Sequence, residues 1–348
     1  MTATAPEQQV LLTVQGALGR ITLNRPKAIN SLTLEMVREI TGALERWRAD
    51  EQVRAVLIEG AGERGLCAGG DIRALYDAAK SGDESLAKAF WSEEYRLNAA
   101  LSHYPKPVVG LMDGVCMGGG VGITAHGSHR VVTDRSKIGM PEVGIGFLPD
   151  VGGTFLLSQA PGELGTHLAL TGAPISGADA IALGLADHYV PADQLEAFAE
   201  ALTAGDPDAA LARFSTEPPP APVAAQREWI DDAYAADDVE QILTRLRARP
   251  EEAAQQAAEL IETKSPTSLK VTLRALRSRP ATLEQALDQE YRLALAAVEI
   301  GDFVEGVRAT LVDKDKDPKW SPERLEQVTD EFVERFFAPL GAAELGLS

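Results

Sequence analysis

The sequence PVVGLMDGVCMGGGVG, residues 107–122, passes from an apolar strand pattern into a glycine-rich loop and then into a helix. Residues 107–112 predict a buried strand, and MGGGVGITAHG at 117–127 predicts a helix that opens on glycines. Glycine lets the backbone approach a ligand closely, and the N–H groups in the first turn of a helix point outward. This stretch therefore predicts a strand-to-helix unit whose corner can hold a ligand through backbone donors.

A second glycine-rich loop, CAGGD at residues 67–71, follows the predicted strand at 54–60. One N–H group from each loop could meet on a single oxygen atom and stabilise negative charge there. The loops contain neither GxxxxGK(S/T) nor GxGxxG, and the chain has no GxSxG, which argues against phosphate-loop and serine-nucleophile chemistry. Close packing of helices on the sheet is the other interpretation of these glycines, and it stays open at this point.

Strand and helix patterns alternate over the first two-thirds of the chain. The predicted strands cover residues 10–14, 20–23, 54–60, 107–112, 129–133 and 137–140, and the predicted helices cover 33–50 and 84–103. Alternation of this kind indicates an α/β fold with largely parallel strands.

Beyond about residue 190 the strand patterns stop. A proline-rich connector at 216–226 leads into predicted helices at 227–247, 251–263, 267–278, 282–300 and 322–337. We therefore divide the chain into an α/β core with the active site at residues 1–200 and a helical C-terminal region at 201–348.

The composition argues against several classes of partner. The formal charge of −19 at pH 7 and the lack of a basic stripe argue against nucleic acid. The sequence contains no apolar run of the length that a membrane span requires. Its first residues, MTATAPEQQV, have neither the basic nor the apolar segment that targeting peptides carry. We therefore expect a cytoplasmic protein without a membrane partner.

Metal ions and redox cofactors are not expected. Cys67 and Cys116 are the only cysteines, and their spacing cannot form a CxxC metal site. Free thiols in a reducing compartment are the simpler interpretation. The five histidines lack convincing metal spacing, and a helix–strand boundary is predicted between the nearest pair, His126 and His129.

Residues 140–153, MPEVGIGFLPDVGG, place two carboxylates in a segment that is otherwise apolar residues, glycine and proline. These are Glu142 and Asp150. An ionised carboxylate is costly to bury unless it is paired, hydrogen-bonded or used in chemistry. Either both acids are turn residues at the surface, or they belong to a buried functional site.

Several motifs at matching spacing point to a family. CAGGD, the MGGG of residues 117–120 and MPEVGIGFLPDVGG resemble the crotonase (enoyl-CoA hydratase/isomerase) superfamily, as do ITLNRPKAINSL and TGAPISGADAIALGLADHYV. The resemblance covers the chain from about residue 10. It implies the ClpP/crotonase fold, a spiral of ββα units that forms two roughly perpendicular sheets before a helical C-terminal region. Members commonly assemble as trimers or hexamers, so the resemblance also implies a homo-oligomer.

The resemblance is closest to the branch whose members hydrolyse 3-hydroxyisobutyryl-CoA, through GLCAGGDIR, EEYRLN and DFVEGVRATLVDKDKDPKW. It implies an oxyanion hole formed by the N–H groups of Ala68 and Gly119, with Glu142 as general base or nucleophile. Asp150, from FLPD, and Glu94, from EEYRLN, complete the implied active site. The expected reaction converts the thioester and water into 3-hydroxyisobutyrate and CoA, a step of valine catabolism.

One departure separates this branch from the hydratases of the superfamily. Hydratases carry a second catalytic glutamate shortly after the GGG, where this chain has Gly122. Glycine cannot transfer a proton, so the resemblance favours thioester hydrolysis over two-glutamate hydration. Two alternatives stay open: a hydratase, isomerase or hydrolase for another acyl-CoA, and a catalytically silent acyl-CoA-binding member of the fold.

An acyl-CoA thioester is the expected partner, and CoA enters as part of this substrate rather than as a cofactor. The residues expected to bind it, besides Glu94, are Gly70, Asp71, Gly118, Arg25, Lys27 and Arg73. The three cations are candidate contacts to the phosphates or the adenine of CoA. Solvated surface cations are the other interpretation of these three residues.

Overall fold

The computed structural model of the chain describes residues 8–348, with the exception of the Glu84 side chain. Residues 1–7, which form most of the N-terminal segment MTATAPEQQV, lie outside the described residues. The strands are β1 Val10–Gln15, β2 Leu18–Leu23, β3 Ala55–Gly60, β4 Val108–Met112, β5 Val115–Met117, β6 His129–Val132, β7 Lys137–Gly139, β8 Ile175–Ser176 and β9 His188–Tyr189.

The helices of the first part of the chain are α1 Leu34–Arg48, α2 Ile72–Ser81, α3 Glu84–Ser102, α4 Gly119–Gly122, α5 Gly153–Ser158, α6 Leu164–Thr171, α7 Gly177–Ala182 and α8 Leu195–Leu202. The following helices are α9 Pro207–Phe214, α10 Arg227–Tyr234, α11 Val239–Ala248, α12 Glu252–Glu262, α13 Pro266–Ser278, α14 Leu283–Glu299, α15 Phe303–Val307 and α16 Asp330–Glu334. None of the helices within residues 8–348 combines the length and the apolar character needed to cross a bilayer.

The two sheets are built from repeats of one unit. The larger sheet has the order β1-β2-β3-β4-β6-β9, and all its pairings except β1–β2 are parallel. The smaller sheet has the order β5-β7-β8, and the parallel bridges Cys67–Cys116 and Leu32–Gly70 continue it. Each of β2, β3, β4 and β6 thus leads into the smaller sheet and then into a helix, which confirms the predicted spiral of ββα units.

The predicted strands are all present, with ends that agree to within two residues. The helix after Thr33 begins where its N-cap pattern predicts, because the Thr33 hydroxyl accepts a hydrogen bond from the Met36 N–H at 3.2 Å. The long helix predicted at 84–103 is α3, and it packs between α1 and α14.

Two of the predicted C-terminal helices differ in the structure. The single helix expected at 227–247 is two helices, α10 and α11, because Asp238 caps a new helix by accepting from the Gln241 N–H at 2.7 Å. The helix expected at 322–337 is reduced to α16 and short 3-10 turns, because Thr329 caps a new start within that stretch. In addition, α9 and α15 lie outside the predicted helices.

Two hydrophobic clusters lie on the two faces of the larger sheet. Val56 and Ile58 of β3 belong to a cluster that extends from Val10 to Leu345, so the strands and the C-terminal helices share it. Leu57, which points the other way, packs in a smaller cluster with α8 and α9. The larger cluster places the C-terminal helices against the glycine loops. The division of the chain into two regions at residue 200 stays a prediction.

A buried aspartate joins the C-terminal helices to the loop that contains Glu142. Asp302, just before α15, accepts hydrogen bonds from the Ser265 hydroxyl at 2.6 Å and from the Ser321 N–H at 2.9 Å. The Asp302 backbone lies so close to Gly146 that a Cβ atom on Gly146 would overlap it. These contacts bring α13 and α15 over the segment between Glu142 and Asp150.

Candidate active site

A cavity of about 360 Å³ opens where the glycine loops, α3 and the C-terminal helices meet. Its polar walls come from the two glycine loops and three acids, and its apolar walls come from aromatic side chains. The residues that define it are Ala68, Gly69, Gly70, Trp91, Glu94, Gly119, Glu142, Phe147, Asp150, Lys264, Phe303 and Thr310. Both the predicted core and the predicted C-terminal region therefore contribute to one cavity.

The first glycine loop offers a different N–H group from the one predicted. The Ala68 N–H donates to the Ile29 carbonyl oxygen at 2.9 Å, so it is already engaged. On either side of Gly70, Leu32 donates to the Gly69 carbonyl and accepts from the Asp71 N–H. Successive N–H groups of extended backbone point to opposite sides, so the Gly70 N–H points away from Leu32. The prediction of Ala68 as an oxyanion donor therefore disagrees with the structure, in which the free N–H group of this loop is that of Gly70.

The predicted second donor, Gly119, has a free N–H group beside Gly70. Gly119 is the first residue of α4, where an N–H group has no partner within the helix. A Cβ atom on Gly119 would lie 3.4 Å from the Gly70 nitrogen, so the two backbone groups are neighbours. Within residues 8–348 neither N–H group donates to a backbone or side-chain acceptor. The pair can therefore hold one oxygen atom that develops negative charge.

Three carboxyl groups surround this pair of donors. Glu94, Glu142 and Asp150 are 2%, 8% and 5% exposed, respectively. The Tyr95 hydroxyl donates to Asp150 Oδ2 at 2.7 Å, whereas Glu94 Oε1 and Glu142 Oε2 have no hydrogen-bond partner. The interpretation of Glu142 and Asp150 as surface turn residues is thus excluded. Buried carboxyl oxygens without partners indicate groups that await a substrate or water.

Burial controls the protonation of these acids. It raises the pKa of Glu142 and of Glu94 well above the ordinary value, and the neighbouring Asp150 charge raises both further. Burial also raises the pKa of Asp150 to about 7, although the hydrogen bond from Tyr95 acts in the opposite direction. Asp150 therefore takes up and releases its proton close to neutral pH, and burial favours the protonated forms of Glu94 and Glu142 beside it.

Gly118 and Gly119 leave room for these carboxyl groups. A Cβ atom on Gly118 would lie 2.5 Å from Glu142 Oε1, and one on Gly119 would lie 2.7 Å from Glu94 Oε1. Gly118 also has a φ of +46°, which favours glycine. A side chain at either position would thus displace one of these carboxyl groups, and Gly118 is favoured by its backbone conformation as well.

The space in front of Gly122 is occupied. A Cβ atom on Gly122 would lie 2.6 Å from Val151 Cβ and 3.0 Å from Asn98 Nδ2. Asn98 is fully buried, and neither polar atom of its amide has a partner. A glutamate at position 122 would therefore collide with Val151, so the site differs from a two-glutamate site in shape as well as in residue type.

The predicted CoA-binding cations lie outside the cavity lining. Arg25 pairs with Asp71 at 2.9 Å and donates to the Ser31 carbonyl, which fixes both the arginine and the aspartate. Arg73 is exposed and lies 3.3 Å from Asp77, and Lys27 is exposed as well. Their contacts to CoA remain predictions, as does the role of Asp71.

Several residues of the site were missed in the sequence. Tyr95 and Asn98 lie within EEYRLN, and Phe303 lies within DFVEG, so these motifs contained a signal that was not used residue by residue. Lys264 lines the cavity from the turn between α12 and α13, and burial lowers the pKa of its ammonium group. No spacing or motif in the sequence singles out Lys264, because only the packing of the helices brings it to the cavity.

The cysteines and histidines do not enter the site. Burial raises the pKa of the Cys67 thiol to about 12, which removes its nucleophilic character near neutral pH. Burial lowers the pKa of His126 to about 4, and the ring bonds to the Val151 carbonyl oxygen at 2.7 Å. Among residues 8–348, no group of three or more histidine, cysteine, aspartate or glutamate side chains could hold a metal ion.

The fold and the site together define a class of protein. The chain belongs to the enoyl-CoA hydratase/isomerase family, whose sequence model matches residues 18–337. The curated relatives include the "3-hydroxyisobutyryl-CoA hydrolase, mitochondrial" of Xenopus tropicalis, 41% identical over 99% of this chain and 92% of the relative. Proteins of the same name from Rattus norvegicus and Homo sapiens are 42% and 40% identical, each over 97% of this chain and 90% of the relative.

Solved structures share the whole fold. A protein described as a carnitinyl-CoA dehydratase from Mycobacterium thermoresistibile has a TM-score of 0.95 and 55% identity, with 98% of this chain and 99% of that chain covered. A protein described as an enoyl-CoA hydratase from Rhodobacter sphaeroides has a TM-score of 0.93 and 40% identity, with 97% and 99% covered. The names of these structures differ in reaction type from those of the curated relatives.

The backbone donor of Gly119 can be tested by adding one methyl group. In Gly119→Ala the new Cβ would enter the space between Glu94 Oε1 and the Gly70 nitrogen. We expect turnover of an acyl-CoA substrate to fall by about 100-fold or more, because the oxyanion pocket is filled. Gly42→Ala, at a half-buried position of α1 outside the cavity lining, is the matched control and should leave turnover unchanged. Near-normal turnover in folded Gly119→Ala would exclude this pocket.

The raised pKa of Asp150 predicts a pH-dependent effect on stability. The pKa of Asp150 is about 7 in the folded protein against 3.8 ordinarily, so the folded state binds more protons between these values. Its stability therefore falls as the pH rises through this window. We expect Asp150→Asn to raise the free energy of unfolding by roughly 2 kcal/mol at about pH 8, and to change it little at about pH 4. Denaturant titrations at both pH values measure this, and equal effects at both would contradict the assignment.

Proposed function

We propose that this protein hydrolyses 3-hydroxyisobutyryl-CoA to 3-hydroxyisobutyrate and CoA. One observation carries the proposal: a buried carboxyl group with a free oxygen, that of Glu142, faces a cavity that contains two unengaged backbone donors. Several curated relatives of near full length are named 3-hydroxyisobutyryl-CoA hydrolase, which supports the same reaction. The occupied space at Gly122 favours hydrolysis over a two-glutamate hydration.

The reaction begins at the backbone donors. The thioester carbonyl oxygen accepts hydrogen bonds from the Gly70 and Gly119 N–H groups, which makes the carbonyl carbon more electrophilic. As the carbon is attacked, negative charge develops on this oxygen, and the two donors stabilise it without reorganising. A single donor of this kind lowers the barrier by about 3 kcal/mol.

Glu142 supplies the attack. As a general base it takes a proton from water while the water oxygen bonds to the carbonyl carbon. As a nucleophile it bonds to that carbon itself and forms a mixed anhydride, which water then hydrolyses. In either route the carbon–sulfur bond breaks, and CoA leaves as a thiolate that takes up a proton. Both routes need Glu142 ionised, and its raised pKa makes it a stronger base than an exposed glutamate.

Asp150 and Glu94 select the substrate. Both acids are held in the cavity wall, Asp150 by the hydrogen bond from Tyr95. In our proposal they bind the 3-hydroxyl group of the acyl chain or the attacking water. An analogue without the hydroxyl group would leave buried polar atoms unpaired, and such a mismatch discriminates strongly between substrates. This selectivity separates a 3-hydroxyacyl-CoA from a simple acyl-CoA.

Cofactor, compartment and assembly are also part of the proposed function. We propose that no cofactor besides the CoA of the substrate takes part, and that the activity serves valine catabolism in the cytoplasm. Several curated relatives are named mitochondrial, so a fractionation experiment is needed to decide the compartment. Assembly as a trimer or hexamer is proposed by analogy with the family, and light scattering measures it.

Hydration or dehydration of another acyl-CoA is the second candidate function. It is favoured by the 55% identical structure that is described as a carnitinyl-CoA dehydratase. The acids Glu142 and Asp150 could also exchange protons with a carbon atom, since both have raised pKa values. Retention of the thioester during the reaction distinguishes this function from hydrolysis, and binding without any reaction identifies a silent member of the fold.

A panel of acyl-CoA substrates tests the proposed function. We expect thiol release from 3-hydroxyisobutyryl-CoA to be at least about 100-fold faster than from acetyl-CoA or crotonyl-CoA, because only the former fills the acid-lined wall. A free-thiol assay measures release, and chromatography of the acyl product measures hydration. Conversion of crotonyl-CoA or carnitinyl-CoA without thiol release would establish the second candidate instead.

The role of Glu142 is tested by Glu142→Gln, which keeps the shape of the side chain. We expect turnover to fall by about 1,000-fold or more, since neither base nor nucleophile remains. Binding of the CoA ester, measured by calorimetry, should stay within about threefold of the unchanged protein. Glu228→Gln on the exposed face of α10 is the control. Turnover in Glu142→Gln at the control level would remove Glu142 from the mechanism.

A further inference from the structure

A fourth buried carboxyl group reaches the catalytic loop from the C-terminal region. Glu290, on α14, is 0% exposed. Its Oε2 atom accepts a hydrogen bond from the Gly152 N–H at 2.6 Å. Its Oε1 atom accepts from the Thr154 N–H at 2.9 Å and from the Thr154 hydroxyl at 2.6 Å. Three donors from one short segment therefore converge on a single side chain that the proposed mechanism does not use.

The segment held by Glu290 has an unusual backbone. Val151 has a φ of +54° and Gly152 a φ of +79°. A β-branched residue in the left-handed region costs about 1–3 kcal/mol, and such a conformation persists only where its surroundings fix it. Here Glu290 holds the following residues, while the His126 ring bonds to the Val151 carbonyl oxygen at 2.7 Å.

This backbone conformation determines where the Asp150 side chain points. Asp150 directly precedes Val151, and its carboxyl group is held by the Tyr95 hydroxyl at 2.7 Å. The Tyr95 ring packs edge-on against the ring of Tyr291, with 6.4 Å between the ring centroids. Tyr291 follows Glu290 on α14, so one turn of this helix contacts both the Asp150 loop and the hydroxyl donor of Asp150.

We propose that Glu290 is a positioning residue that fixes the turn at Asp150–Gly152 and thereby the place of the Asp150 carboxyl group. The inference rests on the proposed thioester hydrolysis. Glu290 acts through the backbone of this turn, and it does not touch the substrate, because it is not part of the cavity lining.

The titratable groups near Glu290 are acidic. They include Asp150 and Glu142 of the catalytic segment and Tyr95 of α3, and the carboxyl group of Glu94 lies beside Asp150. No lysine or arginine forms an ion pair with these four carboxyl groups within the described part of the chain. The Glu290 charge contributes to the raised pKa of Glu142, and burial raises the pKa of Glu290 itself to about 8.

Glu290→Gln tests this role. The amide keeps one acceptor oxygen but loses the charge and one of the two acceptors. We expect kcat for 3-hydroxyisobutyryl-CoA to fall by about tenfold or more, with KM within about threefold, because the turn at Asp150 is less well fixed. This split between kcat and KM is the readout that separates positioning of Asp150 from a general loss of structure. Glu299→Gln, at the exposed end of α14, should change neither quantity.

The inference is overturned if folded Glu290→Gln keeps the kcat and the KM of the Glu299→Gln control. It is also overturned if KM rises by as large a factor as kcat falls, because a general loss of structure at the site predicts that result. If Glu290→Gln does not fold, Thr154→Val removes one donor to Glu290, and kcat should fall about threefold at constant KM; an unchanged kcat overturns the inference. A protein that releases thiol from none of the acyl-CoA panel contradicts the proposed function itself, which separates the two failures.

Discussion

Burial of like charges is the constraint on which this structure depends. Glu94, Glu142, Asp150 and Glu290 are enclosed together, and within residues 8–348 none of them forms an ion pair. Burial and mutual repulsion favour their protonated forms, so the site opposes folding as the pH rises. The hydrophobic cluster shared by strands and C-terminal helices supplies the compensating stability. The functional result of this opposition is a set of acids with raised pKa values, among them Asp150 at about 7.

The spiral fold brings the backbone donors and the acids together from distant segments. Gly70 and Gly119 lie at equivalent corners of successive ββα units, which is why their N–H groups are neighbours despite their separation in the sequence. The C-terminal helices then complete the cavity with Lys264 and Phe303. The repeat unit therefore accounts for the oxyanion pocket, whereas the helical region accounts for the enclosure that perturbs the acids.

The sequence predicted most of this arrangement, and its errors have local physical causes. Strand patterns and the N-cap at Thr33 located the core because alternation and capping are short-range properties. The choice of Ala68 over Gly70 disagrees with the structure because the direction of each N–H group depends on pairing of this loop with Ile29 and Leu32, which the motif alone does not specify. Glu290 and Lys264 were missed for a related reason, since each reaches the site only through long-range helix packing.

Val151 restricts the order in which substitutions can change this site. Its side chain fills the space in front of Gly122, so a glutamate acquired first at position 122 meets a steric collision. A passage from this active site to a two-glutamate site must begin at Val151, where a φ of +54° means that a glycine relieves strain. Substitution at Val151 must therefore come before substitution at Gly122. A glutamate placed at Gly122 alone would not show whether this active site can become a two-glutamate site.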